Sequence, residues 1–328
     1  MNSYPVGPVE VVRGLESLPL SSTPSVVTVG FFDGVHRGHQ AVLATTAARA
    51  HERHARSVAV TFDRHPREIL APGTEPRLLT TVERKASLIE AAGIDVLVVL
   101  PFTSEFSRVT DEEFVADVLV RGLHCVHAVM GANFTFGFKA TGTVETLPAM
   151  GAPFGMTAEG VPLMELEIGS PASPSRVVSS SSVREALAAG DLGWPHEALG
   201  RRFVLDGEVV SGHGRGKGLG YPTANLRTWP RLLLPGQGIY AGVADMDGGR
   251  YRAAIDVGTN PTFGVEPLHV EAFLLDFEGD DFRGAPISIE FWTRLRDEVK
   301  YDAVDELIVA IGHDVDRTRD VVPDEALV

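Results

Sequence analysis

The chain has 328 residues, with 44 acidic against 29 basic side chains and a formal net charge of −15. Hydrophobic residues make up 44% of the sequence, which is ordinary for a globular protein of roughly two domains. An acidic chain is a poor candidate for binding nucleic acid, because phosphate contacts need a basic face, so nucleic acid is not an expected partner. The single cysteine, Cys125, excludes an intrachain disulfide, and no apolar run reaches the length of a membrane span. We therefore expect a cytoplasmic protein without membrane contact.

The first predicted strand is the uninterrupted apolar run from Val26 to Val29, which is typical of a strand buried on both faces of a parallel sheet. Residues 1 to about 24 are expected to pack loosely ahead of it. Asp33-Gly34 is predicted to turn the backbone, and a helix is predicted to follow. A buried strand, a tight turn and a helix start form the usual phosphate cradle of α/β proteins, because free N–H groups and the helix dipole favour anions.

Two histidines, His36 and His39, lie at that helix start with Gly38 between them. Their spacing lets both imidazoles face one ligand, and Gly38 lets a phosphate approach the backbone. The plainer alternative is a pair of solvated turn histidines. Half of a zinc site is disfavoured, because no cysteine is nearby and no third ligand is evident at typical spacing. The H-x-G-H pattern resembles the signature of the nucleotidyltransferase superfamily, in which both imidazoles hold ATP phosphates and stabilise charge on the leaving pyrophosphate.

Strands and helices are predicted to alternate up to about residue 200, which indicates a doubly wound parallel sheet in an α/β domain over residues 1–200. Further strands are predicted at 57–62, 96–100 and 127–130, and helices at 82–92 and 111–121, the latter capped by Thr110. A short strand near 154–157 and a mobile loop around 169–175 are expected next. Then follows a serine-capped helix in which Ser182 and Glu185 form a capping box. Its serines and Arg184 also suit an anion site.

Beyond a short helix at 195–199 the pattern changes to strands without intervening helices. Strands are predicted at 203–210, 224–226, 239–244, 252–257, 270–277 and 287–295, with a covering helix at 304–315. We therefore predict an all-β domain, a small antiparallel barrel with a terminal helix, over residues 201–328. The glycine-rich stretch 214–220 fails the Walker A pattern, because Lys217 is followed by Gly218 instead of Ser or Thr.

Three polar residues of this second domain carry candidate chemistry. Thr223 and Asn225 offer hard oxygen ligands of the kind that Mg²⁺ accepts when phosphates complete its shell. Glu271 is the isolated acid of an apolar strand, and on pattern alone it is an outward-facing strand residue. If it lies opposite the Thr/Asn pair, it becomes a candidate general base.

Seven segments in order resemble the prokaryotic bifunctional riboflavin kinase/FAD synthetase family, and the resemblance spans about residues 26–318. Four lie in the first half: GFFDGVHRGHQ (30–40), TFDRHP (61–66), GANFTFG (131–137) and VSSSSVRE (178–185). Three lie in the second: GRGKGLGYPTANL (214–226), VGTNPTFG (257–264) and VEAFLLDF (270–277).

The resemblance implies that the first half has a Rossmann-like nucleotidyltransferase fold and joins AMP from ATP to FMN, giving FAD and pyrophosphate. The attacking FMN phosphate is already anionic, so catalysis is positioning and charge neutralisation by the catalytic residues His36, His39 and Arg184, with Ser181. The implied ATP-binding residues are Gly30, Phe31, Asp33, His36, Gly38, His39, Asn133, Ser180, Ser181 and Arg184. The implied flavin-binding residues are Phe62, Asp63, His65 and Phe136.

The second half is implied to transfer the γ-phosphoryl group of ATP to the 5′-hydroxyl of riboflavin, giving FMN. Glu271 would be the catalytic base, and Thr223 and Asn225 would hold Mg²⁺, the implied cofactor that accompanies ATP. The implied ATP-binding residues of the kinase are Gly214, Gly216, Lys217, Gly220, Thr223 and Asn225. Partners are thus the small molecules riboflavin, FMN, FAD and ATP, and the sequence leaves a homo-oligomer open.

Some positions depart from the family pattern without removing a catalytic group. Arg64 stands where Pro is usual, Ser181 where Thr is usual, and Tyr221 where Phe is usual, while Arg283 lies in an altered turn. Three alternatives stay open: an enzyme with one live activity, a non-catalytic flavin- or nucleotide-binding regulator, and adenylylation of another acceptor such as nicotinamide mononucleotide. The intact histidine pair and Glu271 disfavour the regulator, and the kinase-like half disfavours the other acceptor.

Overall fold

The computed structural model describes residues 9–15, 23–167, 175–211, 220–246, 248–259, 262, 267–277 and 283–328. Contacts between residues divide the chain into two compact units. The first comprises Met1–Pro76 and Val82–Ser180, and the second comprises Arg77–Thr81 and Ser181–Val328. None of the helices in these ranges is both long and apolar enough to cross a membrane.

The first unit is built on a parallel sheet. Within the described residues its elements are β1 (Glu10–Arg13), β2 (Ser25–Val29), α1 (Arg37–Glu52), β3 (Arg56–Phe62), α2 (Arg67–Leu70), α3 (Val82–Ala91), β4 (Val96–Leu100), α4 (Asp111–Glu113), β5 (Cys125–Gly131), β6 (Thr135–Phe136), β7 (Gly142–Thr143), α5 (Leu147–Gly151), β8 (Thr157–Val161), β9 (Glu165–Glu167) and β10 (Ser175–Val177). The strand order of the sheet is β1-β4-β3-β2-β5-β8, and every pair is parallel. The predicted parallel sheet is confirmed.

Helices cover both faces of this sheet. Alternate residues of β4 enter different apolar clusters: Val98 joins the cluster that contains Leu119, whereas Leu97 joins the cluster that contains Leu43 and Ile89. Since each strand buries side chains on both faces, its sequence is an apolar run without alternation. The carboxyl ends of the parallel strands meet at one edge, where α/β sheets bind ligands.

The structure differs from the predictions at both ends of this unit. Residues 10–13 form the edge strand β1 instead of loose chain; only Val12 is buried there, so the segment lacks an apolar run. Near 154–157 the chain completes a 3₁₀ turn, and Gly155 with φ of 71° separates it from β8, which starts three residues later than predicted. Residues 168–174 of the predicted loop lie outside the described residues, and Ser175 begins β10.

Two helix starts show how capping decides boundaries. At α4, Thr110 and Glu113 form a capping box, as a Thr N-cap requires, and the helix continues as π-helical turns over Phe114–Gly122. The predicted box of Ser182 and Glu185 is wrong. The helix begins at Ser180, so Ser182 is inside it, and its hydroxyl accepts a hydrogen bond from Trp194 Nε1 (3.2 Å).

The second unit contains a closed antiparallel barrel, as predicted. Its described elements are α6 (Ser180–Ala188, whose first residue belongs to the first unit), α7 (Gly193–Leu199), β11 (Phe203–Val210), β12 (Thr223–Thr228), β13 (Gly238–Met246), β14 (Gly249–Gly258), β15 (His269–Leu274), β16 (Pro286–Arg296) and α8 (Val304–Val321). The strand order is β11-β12-β15-β14-β13-β16, and β16 pairs with β11 to close the barrel. Helix α8 is longer than predicted, and β15 ends at Leu274 instead of residue 277.

Close backbone approach fixes one wall of the barrel. A Cβ on Gly242 would lie 2.1 Å from the carbonyl oxygen of Glu290 on the paired strand β16, so this position of β13 accepts only glycine without a shift. Helix α6 is tied to the barrel unit by a hydrogen bond from Gly236 N to Leu187 O (2.8 Å). The helices α6 and α7 therefore group with the barrel and not with the parallel sheet.

Candidate active sites

The turn between β2 and α1 has an unusual backbone. Phe32, Gly34 and Val35 have φ values of 51°, 76° and 38°, all in the left-handed region that side chains other than glycine rarely adopt. Side chains hold the carbonyls of this turn: Ser180 Oγ donates to Asp33 O (2.8 Å), and Gln40 Nε2 donates to Val35 O (2.9 Å). The turn is thus fixed in one conformation directly before the N-terminus of a sixteen-residue helix.

The two histidines lie together at that N-terminus. His36 is the N-cap of α1, and its Nδ1 accepts a hydrogen bond from His39 N (3.3 Å). The two imidazoles stack with ring centroids 3.6 Å apart and an interplanar angle of 19°. Because Nδ1 accepts, the proton of the His36 ring is on Nε2, which becomes a donor. A Cβ on Gly38 would lie 3.2 Å from the His36 ring, so a side chain at this position would crowd the ring.

The arrangement is suited to a polyphosphate. The first N–H groups of α1 have no intrahelical partner, and the helix dipole adds partial positive charge at the same end. Imidazole donors beside them extend the positive potential outward. Asn133 lies in the exposed turn that follows β5, at the edge of the sheet where the other strands also end. A Cβ on Gly30 would lie 2.9 Å from the Phe32 ring, so a side chain there would disturb the turn.

The predicted flavin-binding residues fall into two groups. Phe62 and Phe136 are 9% and 6% exposed and belong to a cluster of aromatic rings with Phe102, Phe106, Phe114 and Phe134. His65 is half-buried and its ring stands edge-on to Phe31, with centroids 4.8 Å apart. This second contact links the segment after β3 to the turn after β2.

Asp63 is held by its neighbours. Its Oδ1 accepts a hydrogen bond from Phe102 N (2.9 Å), and its carboxylate pairs with Arg64 (3.1 Å). Burial raises the pKa of Asp63, but the hydrogen bonds from Arg64 and Phe102 outweigh it, so the pKa is lower than that of an ordinary carboxyl. Arg64, the departure from the family pattern, therefore contacts a predicted flavin residue.

Two predicted ATP contacts belong to the second unit. Ser181 is exposed on α6, and Arg184 Nε donates to Arg77 O (2.7 Å). Their placement beside the histidine pair stays a prediction.

The second constellation is a row of polar side chains across three barrel strands. Asn225 of β12 and Asp256 of β14 are the cross-strand partners of Glu271 on β15, one on each side. All three alternate with buried apolar residues, so they share the face that points away from the barrel core. Thr223 Oγ1 donates to Glu271 Oε2 (2.8 Å), which brings the predicted Thr, Asn and Glu residues together.

Further ionisable groups surround Glu271. His269 Nε2 lies 3.3 Å from Glu271 Oε1, and this hydrogen bond raises the pKa of His269 to about 9. Burial, together with the charges of Glu298 and Glu271, raises the pKa of Asp256 to about 7. Within the described residues, Asp256 Oδ1 has no hydrogen-bond partner. His269 thus pairs with the Glu271 side chain, while Asp256 is the carboxyl whose ionisation is disfavoured.

Part of the predicted kinase loop is not described. Gly214, Gly216 and Lys217 lie outside the described residues, whereas Gly220 is exposed with φ of 87°. In the described ranges no three His, Cys, Asp or Glu side chains are arranged to hold a metal ion.

The sequence reasoning overlooked His269, Asp256 and Lys85. Asp256 has the same signal as Glu271, an acid alone in an apolar strand. Lys85 lies between Val82 and Ile89 on the apolar stripe of α3, a position where a lysine is uncommon. His269 begins β15 two residues before Glu271, on the same face, and only the strand boundary reveals that.

Comparison with known proteins assigns each unit a counterpart. Residues 19–174 match the model of the FAD synthetase family and residues 199–322 that of the riboflavin kinase family. The bifunctional riboflavin kinase/FMN adenylyltransferase of Pseudomonas fluorescens is 36% identical over 94% of this chain and 97% of its own length. That of Bacillus subtilis is 34% identical over 88% and 90%. A crystal structure from Streptococcus pneumoniae, described as a macrolide-efflux protein, has 29% identity and a TM-score of 0.83 over 95% of this chain and 99% of its own.

Replacement of Asp256 by Asn should stabilise the protein above neutral pH. A carboxyl whose folded-state pKa is raised contributes stability that is lost as pH rises toward that pKa. With a folded pKa of about 7 and about 1.4 kcal/mol per pKa unit, the unaltered protein should lose stability relative to Asp256→Asn from pH 4 to 7, by at most roughly 4 kcal/mol. Denaturation curves at pH 4 to 9 measure this.

The control for this comparison is Asp245→Asn, an exposed aspartate on the neighbouring strand β13. Its stability curve should run parallel to that of the unaltered protein. Parallel curves for Asp256→Asn as well would contradict the raised pKa.

Proposed function

The chain belongs to the family of bifunctional riboflavin kinase/FMN adenylyltransferases, and we propose that the histidine pair carries out one of its reactions and the row around Glu271 the other. The enzyme is a transferase that phosphorylates riboflavin to FMN and adenylylates FMN to FAD, with ATP as the donor in both steps. The observation that supports this division is that each set of residues lies within one compact unit: His36 and His39 in the first, Thr223, Asn225 and Glu271 in the second.

Adenylylation at the first site needs no strong base. A phosphate oxygen of FMN attacks the α-phosphorus of ATP, the bond from that phosphorus to the bridging oxygen breaks, and pyrophosphate leaves. His36 and His39, with the N–H groups of α1, would neutralise the charge that develops on the leaving pyrophosphate. The two rings already lie together at the helix N-terminus. The further proposed ATP contacts are Gly30, Phe31, Asp33, Gly38, Asn133, Ser180, Ser181 and Arg184, and the proposed flavin contacts are Phe62, Asp63, His65 and Phe136.

Phosphorylation at the second site uses a carboxylate. Glu271 would accept the proton of the riboflavin 5′-hydroxyl as the oxygen attacks the γ-phosphorus and ADP leaves. His269 and Thr223 both donate to this carboxylate, and they orient its two oxygens separately. The proposed nucleotide contacts are Gly214, Gly216, Lys217, Gly220, Thr223 and Asn225.

The oxygens of Thr223 and Asn225 suit Mg²⁺. Both are neutral hard ligands, and both lie beside Glu271 on one face of the barrel. When bound, the cation would neutralise phosphate charge; the proton transfer itself would fall to Glu271. We propose that residues 1–200 form the adenylyltransferase domain and residues 201–328 the kinase domain, in a cytoplasmic enzyme. The helices α6 and α7 then serve the first function although they group with the barrel in the second compact unit.

Replacement of His39 by Ala should stop FAD formation while FMN formation continues. Loss of one group that stabilises transition-state charge typically lowers kcat by about a hundredfold to a thousandfold. Chromatography of products from riboflavin and ATP should then show FMN accumulating. His51→Ala, at the other end of the same helix, is the matched control and should make FAD normally. FAD formation at the unaltered rate by His39→Ala would refute the assignment.

Replacement of Glu271 by Gln should have the reciprocal effect. Loss of a general base lowers the rate by about a hundredfold or more, so riboflavin phosphorylation should fall by that factor while supplied FMN is still adenylylated. Each reaction is measured separately, and Glu208→Gln, an acid on β11 that pairs with Arg227, serves as the control. Full kinase activity of the Glu271→Gln protein would show that Glu271 is an ordinary outward-facing strand residue without a catalytic role.

A further inference from the structure

Lys85 is a buried lysine to which neither proposed reaction assigns a role. It lies on α3 with 2% of its surface exposed. Its Nζ donates to Phe31 O (2.7 Å) and to Thr61 Oγ1 (3.3 Å), and the Thr61 hydroxyl itself donates to Phe31 O (3.0 Å). The ammonium also lies 4.1 Å from the centroid of the Phe31 ring. Burying an ammonium group away from water costs free energy, so a lysine at this position calls for an explanation.

The contacts of Lys85 converge on the start of the turn between β2 and α1. The carbonyl that it holds belongs to the residue directly before Phe32, where the left-handed backbone begins. That turn ends at His36, the N-cap of α1. Lys85 therefore fixes one end of the turn, and Ser180 and Gln40 donate to the carbonyl oxygens of Asp33 and Val35. The ring contact reaches the flavin side as well, because Phe31 stands edge-on to His65.

The groups around Lys85 determine whether its side chain is charged. Burial lowers the pKa of Lys85 to about 8, and the carboxylate of Asp33 partly opposes this effect. Asp33 is the charged group that faces Lys85 from the turn, whereas β3 presents the Thr61 hydroxyl and the segment after β2 presents the Phe31 carbonyl and ring. The ammonium is thus charged at neutral pH and loses its proton within an accessible pH range.

We propose that Lys85 is a positioning residue for adenylylation, whose ammonium holds the Phe31 carbonyl and so keeps the turn in the conformation that presents His36 and His39 to ATP. This inference rests on the proposed role of the histidine pair. A lysine with a merely structural role would change the free energy of unfolding but not the pH dependence of adenylylation.

The test measures adenylylation of supplied FMN and phosphorylation of riboflavin separately, in the full chain, from pH 7 to 10. Lys85→Met should lower kcat for adenylylation at least tenfold at pH 7 and leave riboflavin phosphorylation unchanged. In the unaltered protein kcat/KM for adenylylation, which reports the free enzyme, should fall above about pH 8. Lys85→Arg keeps a charge that does not titrate in this range, so it should remove that fall.

The matched control is Arg121→Met, which removes an exposed cation paired with Asp117 on a helix of the same unit. Its activity and pH profile should equal those of the unaltered protein. Unchanged adenylylation by a folded Lys85→Met protein would overturn the inference. A flat pH profile of kcat/KM for adenylylation by the unaltered protein would also overturn it, and this test holds even if neither Lys85 variant folds. If His39→Ala is inactive while Lys85→Met is unimpaired, the Lys85 inference alone fails; if His39→Ala adenylylates normally, the proposed site itself fails.

Discussion

The backbone turn after the central strand β2 is the constraint on which the first site depends. After the buried strand β2, the chain leaves the sheet through a turn. Three of its residues, Phe32, Gly34 and Val35, have positive φ. This costly conformation redirects the chain within four residues into the N-terminus of α1. Lys85, Ser180 and Gln40 each donate a hydrogen bond to a backbone carbonyl oxygen in or directly before this turn. Rigid backbone N–H groups and two stacked imidazoles result.

Charge is distributed differently in the two units. A chain with a net charge of −15 must bind polyphosphate anions through local positive groups. We propose that the first unit supplies them with a helix N-terminus and the imidazole donors of two histidines. The barrel instead places Asp256 and Glu271 near the His269 imidazole, and Glu298 and Arg296 are further charges that act on Asp256. This acidic face agrees with the proposal that a carboxylate there accepts a proton and that a cation accompanies the phosphate donor.

The sequence predicted the parts of the fold that follow from apolar periodicity. The buried strands of the first unit were predicted because an unbroken apolar run is a strong signal, and the barrel strands because Gly and Pro punctuate short strands with no helix between them. The edge strand β1 was missed because it buries one residue, and the Ser182 capping box was wrong because four consecutive serines offer several equivalent starts. For the site, motifs brought His36, His39, Thr223 and Glu271 into view. Of the partners that contact them, Lys85 and Asp256 come from other elements through helix packing and strand register, and His269 depends on where β15 begins; the sequence alone specifies none of these.

The central claim is that two independent sets of residues perform the two reactions, so a mixture of two damaged proteins tests it most directly. Purified His39→Ala and Glu271→Gln proteins are supplied with riboflavin, ATP and Mg²⁺, first alone and then together. We predict that neither alone makes appreciable FAD, and that the mixture does, because FMN released by the intact kinase of one protein is adenylylated by the intact first site of the other. A mixture that makes no FAD, although each protein retains its remaining activity, would contradict the account.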